Sequence, residues 1–270
     1  DDCCPETLPR EFRITNRLCE LNYAIRQAHF PVDQTALAMA RRRLSFESIL
    51  LYLVSVASRS AGKEAGIPFS FPAERIGKYW ESLSFEPTDA QRRVLNEIAA
   101  DLQAETAMSR LIQGDVGCGK TAVAFGALYL ACASGYQACM MAPTEILATQ
   151  HYEDARAVLE PLGVRCRLLT GNTKAKERKN ILRELSEQNC DVLFGTHALI
   201  SKDVCYPRLG LVITDEQHRF GVAQRNALAE KGGAPHKLVM SATPIPRTLA
   251  LMIYGDLEVS VLDVMPNGRL

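Results

Sequence analysis

Between Arg110 and Ala133 an apolar run, a loop punctuated by glycine and an alanine-rich run follow one another, and no other stretch narrows the possible folds as far. The loop reads Gly114-Asp115-Val116-Gly117-Cys118-Gly119-Lys120-Thr121, a glycine and four residues followed by Gly-Lys-Thr. Glycine has no Cβ and takes positive φ, so successive backbone N–H groups can curl around anionic oxygens. A strand before and a helix after put those donors at a helix N-terminus, where the dipole favours negative charge. In that setting Lys120 reaches the β and γ phosphates of a bound nucleotide, and Thr121 offers its hydroxyl to Mg²⁺. A glycine-rich turn that binds nothing is the plainer alternative, and the complete Gly-Lys-Thr ending weighs against it.

Downstream the chain alternates apolar strand candidates with helical patterns. The strands are expected at Met108 to Gln113, Gln137 to Ala142, Val164 to Leu169, Asp191 to Phe194, Leu209 to Thr214, Lys237 to Ser241 and Leu257 to Leu262. Helices are expected at Thr121 to Ala133, Glu145 to Leu162 and Lys174 to Gln188. Short apolar strands separated by helices imply an α/β domain with a mostly parallel sheet covered on both faces, with ligands at the carboxyl ends of the strands. This domain is expected over 85–270, behind a helical connector over 1–84 with an irregular start around Pro5 and Pro9. In the connector a short helix from Leu21 to Phe30 breaks at Pro31, and Asp33 caps a long helix towards Ser60. Arg41-Arg42-Arg43 spreads around that helix as a solvated or salt-bridged face, with a DNA contact as the alternative.

Several strand ends carry polar residues. Asp215-Glu216-Gln217-His218 follows Leu211-Val212-Ile213-Thr214, so Asp215 can bind the metal that Thr121 serves and Glu216 can take a proton from an attacking water. His218 and His197 have no metal-ligand spacing to a partner, and their place at strand ends suits coupling the nucleotide site to something else. Pro143-Thr144-Glu145, Thr170-Gly171 and Gly195-Thr196-His197 supply hydroxyls and backbone N–H groups that suit nucleic-acid phosphates, or serve as ordinary turns and caps. Thr88 and Gln91 have the spacing of a capping box, which accounts for both, and the Gln91 amide also matches the two-faced edge of adenine.

Equal numbers of basic and acidic residues, 31 of each, leave no global attraction to nucleic acid, so any such contact depends on local placement. The nine cysteines show no zinc-finger or disulfide spacing and are expected as reduced, mostly buried thiols. The longest apolar run, Ile49 to Ala57, is far short of the ~20 residues of a membrane helix. No signal-peptide pattern opens the chain, so a soluble protein is expected; the reduced thiols suit the cytoplasm, and a monomer is expected.

Taken together, Gln113 to Thr121, Ala142-Pro143-Thr144-Glu145-Ile146-Leu147-Ala148, Asp215-Glu216-Gln217-His218-Arg219-Phe220-Gly221-Val222 and Ser241-Ala242-Thr243-Pro244-Ile245-Pro246-Arg247-Thr248 resemble a superfamily-two helicase motor. The resemblance is closer to the RecG family of bacterial branched-DNA translocases. Related transcription-repair and primosomal helicases usually carry Asp-Glu-Glu-His where this chain has Gln217. Ala28-His29-Phe30-Pro31 and Ala40 to Glu47 also resemble the RecG segment joining wedge to motor. The resemblance implies a RecA-like P-loop domain that uses ATP and Mg²⁺. It puts Thr88 and Gln91 at the adenine and the loop Gly114, Asp115, Val116, Gly117, Cys118, Gly119, Lys120 and Thr121 on ATP. Asp215, Glu216, Gln217 and His218 join Lys120 in catalysis, with Thr121 and Asp215 on the metal. Ser241, Ala242 and Thr243 couple hydrolysis to movement, while Thr144, Thr170, Gly171, Thr196 and His197 face branched DNA. Cys118 replaces the serine common in the family. The wedge domain and the second motor domain, which supplies an arginine finger, are expected to lie outside this chain.

Overall fold

A computed structural model describes residues 4–60, 65–215, 231–242 and 257–265, and the chain divides into two compact units, Asp1–Gly62 and Lys63–Leu270.

The first unit contains α1 (Arg10–Thr15), α2 (Leu21–His29) and α3 (Gln34–Ser60). Asp33 caps α3 as its residue type suggests, its Oδ1 accepting from the Ala36 N–H at 2.7 Å. α1 replaces the irregular start expected from sequence. Pro9 stands at its N-cap, and proline at a helix entrance removes only an N–H that has no partner within the helix. Of the solvated or salt-bridged face expected for Arg41-Arg42-Arg43, Arg43 is the salt-bridged member, and it is buried rather than at the surface. It shares a helical stripe with Ala36 and Ala40, whose small side chains leave room for close packing, and all three are buried. Its guanidinium donates to Glu47 Oε2 at 2.6 Å, Glu6 Oε1 at 2.7 Å and the Cys19 carbonyl at 3.1 Å. Burial works to raise the Glu6 carboxyl, but the Leu8 and Leu21 N–H groups and Arg43 prevail and hold it at about 2. Arg41 and Arg42 remain exposed.

The second unit begins earlier than the 84/85 boundary. α4 (Glu74–Glu81) belongs to it, because Tyr79 and Trp80 are buried in its main core and the Tyr79 hydroxyl donates to the Ala122 carbonyl. Phe69 is buried too, stacked on Tyr136 with ring centroids 4.9 Å apart. α5 (Asp89–Leu102) follows, then β1 (Ser109–Gly114), α6 (Lys120–Ala133) and β2 (Gln137–Met141). Next come α7 (Glu145–Leu159) with a 3-10 turn, β3 (Cys166–Leu169), α8 (Ala175–Ser186) and β4 (Val192–Gly195). A second 3-10 turn (His197–Ile200) leads to β5 (Leu209–Thr214), β6 (His236–Ser241) and β7 (Glu258–Leu262).

These strands form one sheet in the order β3-β4-β2-β5-β6-β1-β7, and every pairing is parallel. Alternation along the strands feeds cores on the two faces of the sheet, with Leu111, Val239 and Leu257 forming a third, small cluster. Ile112, Met140, Phe194, Ile213 and Met240 face one core with residues of α5, α6 and α7. Cys139, Leu193 and Val212 face another with Ile181 and Leu185 of α8. Burial on both faces explains why the strands read as continuous apolar runs. It also pushes the thiols of Cys139, Cys166 and Cys190 up to about 12, so these are inert packing residues.

At the opposite end of the sheet from the carboxyl edge, His236 fastens the segment before α4 to the strands. Its Nδ1 accepts from the Met108 N–H at 2.9 Å, its Nε2 donates to the Ile67 carbonyl at 2.8 Å, and the residue is fully buried. This fixes a neutral tautomer. Burial lowers its pKa, with the Ile67 bond and the charge of Asp101 opposing. A lowered folded-state pKa means the contribution is complete above the unfolded value of 6.5 and is lost as pH falls below it. Thermal melts of the second unit should therefore fall in temperature as pH drops from about 7 to about 5. In His236→Gln that slope should flatten, and an unchanged slope would assign the acid sensitivity elsewhere.

Candidate active site

The loop between β1 and α6 gains its shape from glycine where the backbone requires it. Gly117 has φ of 91° and Gly119 a φ of 86°, both in the left-handed region. Gly119 is constrained twice, since a Cβ there would lie 2.0 Å from Gln91 Nε2. That amide nitrogen donates to the Cys118 carbonyl at 3.0 Å, while Gln91 Oε1 accepts from the Thr88 N–H at 2.9 Å. With the Gln91 N–H donating to Thr88 Oγ1 at 3.2 Å, the capping box expected from sequence is complete.

Gln91 is fully buried, and its amide spans from the helix cap to the phosphate loop. The contact to Cys118 had no sequence signal, because it joins residues 27 apart in a chain with no local pattern linking them. Gln91→Ala should therefore weaken ATP and inorganic triphosphate alike, by about tenfold for one lost buried hydrogen bond. A loss confined to ATP would instead favour a direct contact with the adenine.

Cys118 turns inward and is buried. A Cβ on Gly114 would lie 2.6 Å from its Sγ, so a small residue at 114 and the inward thiol fit together. Lys120, the first residue of α6, folds over the loop and donates to the Gly114 carbonyl at 2.7 Å and the Asp115 carbonyl at 2.8 Å. Asp115 and Val116 are exposed at the loop tip, and Thr121 is half-buried on the first turn.

The carboxyl edge of the sheet divides into two stretches. β1, β6 and β5 end in the glycine loop, Ser241-Ala242 and Asp215 respectively. Only β6 separates β5 from β1, which puts Asp215 and the loop on the order of 10 Å apart across the sheet. The Asp215 N–H donates to the Met141 carbonyl at 2.9 Å, and its Oδ2 accepts from His151 Nε2 of α7 at 2.7 Å. His151 was not singled out from sequence. The one available signal was its place seven residues, or two helical turns, beyond Thr144.

Neighbouring strands β2, β3 and β4 end in Thr144, Thr170-Gly171 and Thr196-His197. Thr144 caps α7, its Oγ1 accepting from the Leu147 N–H at 3.3 Å. Glu145 then reaches to the loop after β3, accepting from the Asn172 N–H at 3.2 Å and its Nδ2 at 2.5 Å. Gly171 and His197 are exposed, while Thr170 and Thr196 are buried, and the Thr196 hydroxyl has no hydrogen-bond partner. Glu216, Gln217, His218 and Thr243 lie outside the described residues.

The parallel sheet, the glycine loop entering α6 and the acid at the end of β5 define a P-loop α/β domain of the nucleotide-binding kind. The DEAD/DEAH box helicase family model matches residues 88–252, and the chain belongs to that family. Within it, the chain is 48% identical over 271 residues to the ATP-dependent DNA helicase RecG of Bacillus subtilis, covering 99% of this chain and 40% of that protein. It is 47% identical over 267 residues to the RecG of Synechocystis, covering 98% of this chain and 32% of that relative. The chain thus spans two fifths or less of these relatives. Among solved structures, RecG bound to a three-way DNA junction superimposes with a TM-score of 0.83 at 39% identity, over 99% of this chain and 36% of that one. The DUF1998 helicase MrfA bound to DNA and AMPPNP shares the fold alone, with a TM-score of 0.56 at 16% identity over 76% of this chain and 33% of that one.

Proposed function

We propose that this chain is the ATP-binding motor half of a RecG-like DNA helicase, which couples ATP hydrolysis to translocation on branched DNA such as stalled forks and Holliday junctions. The observation that carries this reading is the loop Gly114–Thr121, with its two left-handed glycines and its Lys120, facing the same sheet edge as Asp215.

The donor set fits Mg²⁺. A carboxylate at Asp215 and a hydroxyl at Thr121 are hard oxygen ligands. Among the described residues no three His, Cys, Asp or Glu side chains converge on one point. An ion at such a site is held by one or two protein oxygens together with substrate phosphates. When bound, the ion neutralises charge developing on the phosphates.

Lys120 has its ammonium close to the loop carbonyls, from which it can turn to the β and γ phosphates. Gln91 and Thr88 hold the loop and the entrance of α5 together beside the nucleotide. Glu216 takes the proton of the attacking water, with Gln217 and His218 beside it, and Ser241, Ala242 and Thr243 pass the change to the DNA side. The strand ends carrying Thr144, Thr170, Gly171, Thr196 and His197 receive the DNA backbone. Exposed Gly171 and His197 do so directly, and buried Thr196 acts through the backbone around it. The helical unit 1–62 is the connector to a DNA-engaging wedge, and a second RecA-like domain completes the catalytic site with an arginine finger. No helix among the described residues is long and apolar enough to cross a membrane.

Single-turnover hydrolysis of ATP by this chain and by Glu216→Gln tests the reading. Hydrolysis in the parent chain that disappears in Glu216→Gln is expected. Equal rates would leave a nucleotide-binding module without turnover.

A further inference from the structure

The geometry points to His151 as the positioning residue that orients the Asp215 carboxylate, the candidate metal ligand, and that does so from α7, which is capped by the candidate DNA-contacting Thr144. This rests on the proposed function and adds a residue that the motifs of the sequence do not contain.

Asp215 has a side chain only 14% exposed, and its backbone is already pinned by the N–H bond to the Met141 carbonyl. Among the described residues its one side-chain partner is His151 Nε2, at 2.7 Å. A donor on Oδ2 fixes the orientation of the carboxylate and leaves Oδ1 available as a ligand oxygen. Partners of this kind orient metal ligands, and their loss typically lowers metal affinity by about 10–100-fold. A histidine that merely satisfied itself on α7 would not need a carboxylate 64 residues away at the end of a different strand.

His151 also has a particular place along α7. Two turns before it Thr144 caps the helix, and Glu145 binds both the backbone and the side chain of Asn172. The loop after β3, the first turn of α7, His151 and Asp215 are therefore joined by side-chain hydrogen bonds and one rigid helix. A strand of DNA pressing on Thr144 or Gly171 acts on the same helix that holds Asp215.

Binding of a fluorescent, non-hydrolysable ATP analogue to this chain, titrated with Mg²⁺ and repeated in EDTA, tests the assignment without relying on turnover. His151→Ala should raise the Mg²⁺ concentration needed for half of the metal-dependent gain by about tenfold. Its affinity in EDTA should stay within about twofold of the parent, a difference of roughly 0.4 kcal/mol. His151→Gln, which keeps an N–H donor near the Nε2 position, should recover most of the Mg²⁺ response. Loss of affinity in EDTA as large as in Mg²⁺, for both variants, would reduce His151 to packing and overturn the assignment. A full Mg²⁺ response in His151→Ala would overturn it as well, with the nucleotide site intact. Absence of any Mg²⁺ response in the parent chain would instead overturn the nucleotide reading and this inference together.

Discussion

Lys120→Ala should weaken ATP binding about a hundredfold, with little change in the melting temperature of the second unit. The magnitude follows from two charge-assisted contacts to phosphate oxygens, each worth about 1.4 kcal/mol or more. In the structure described here the ammonium donates to the Gly114 and Asp115 carbonyls, both at the mouth of the loop. Alanine leaves those carbonyls to water, since Asp115 is exposed and Gly114 is half-buried, so the fold loses little. The left-handed glycines and the Gln91 clamp on Cys118 are untouched by the change. Calorimetric titration of ATP onto parent and variant, with thermal melts of both, checks the two halves of the expectation. Unchanged affinity would remove the loop from the nucleotide site, and a collapse in melting temperature would make Lys120 a structural residue.

Arg110→Ala should strongly destabilise the second unit. The Arg110 side chain is 7% exposed on β1, and its guanidinium addresses three carboxylates and a hydroxyl. Nε donates to Asp101 Oδ2 at 2.6 Å, Nη1 to Ser260 Oγ at 2.7 Å and Glu97 Oε2 at 3.2 Å, and Nη2 to Glu258 Oε2 at 2.8 Å. It therefore joins α5, β1 and β7 at one point. Glu258 is mostly exposed and contributes little, but Glu97 and Asp101 would face each other with no cation between them. Removing one partner from a buried network costs about 3 kcal/mol or more, which for a domain of this size lowers the melting temperature by roughly 10 °C. Arg110→Lys should recover only part of this, because a single ammonium cannot match the fork. A loss below about 1 kcal/mol would mean that the carboxylates relax into water and that the network is a surface feature.

Where local chemistry decided the structure, the sequence was sufficient to read it. All seven strands lie within one or two residues of the runs that mark them, and the inner strands β2, β4 and β5, buried along their whole length, carry the clearest apolar signal. Asp33, Thr88 and Thr144 cap helices because each residue satisfies an N–H three positions away, a relation visible in any window of sequence.

The missed features depend on distant partners. His151 meets Asp215, Arg110 meets Ser260 and Gln91 meets Cys118 only after the sheet has formed. A salt bridge at Arg43 is expected from sequence, but its burial and its partner Glu6, 37 residues away, emerge only in the folded unit. The boundary near residue 62 was hidden for the same reason, as Phe69 and Tyr79 show their burial only against Tyr136 and α6. The loop Gly114–Thr121 stood out because the positive φ of Gly117 and Gly119 is a local backbone requirement, although close contacts also hold Gly114 and Gly119 to glycine.

Amide hydrogen exchange of this chain with and without Mg-ATP tests the central assignment most directly. Slower exchange on nucleotide binding is expected in Gly114–Thr121 and the first turn of α6, with a smaller effect around Asp215 and His151. ATP binding that leaves the loop's exchange unchanged while protecting another region would contradict it.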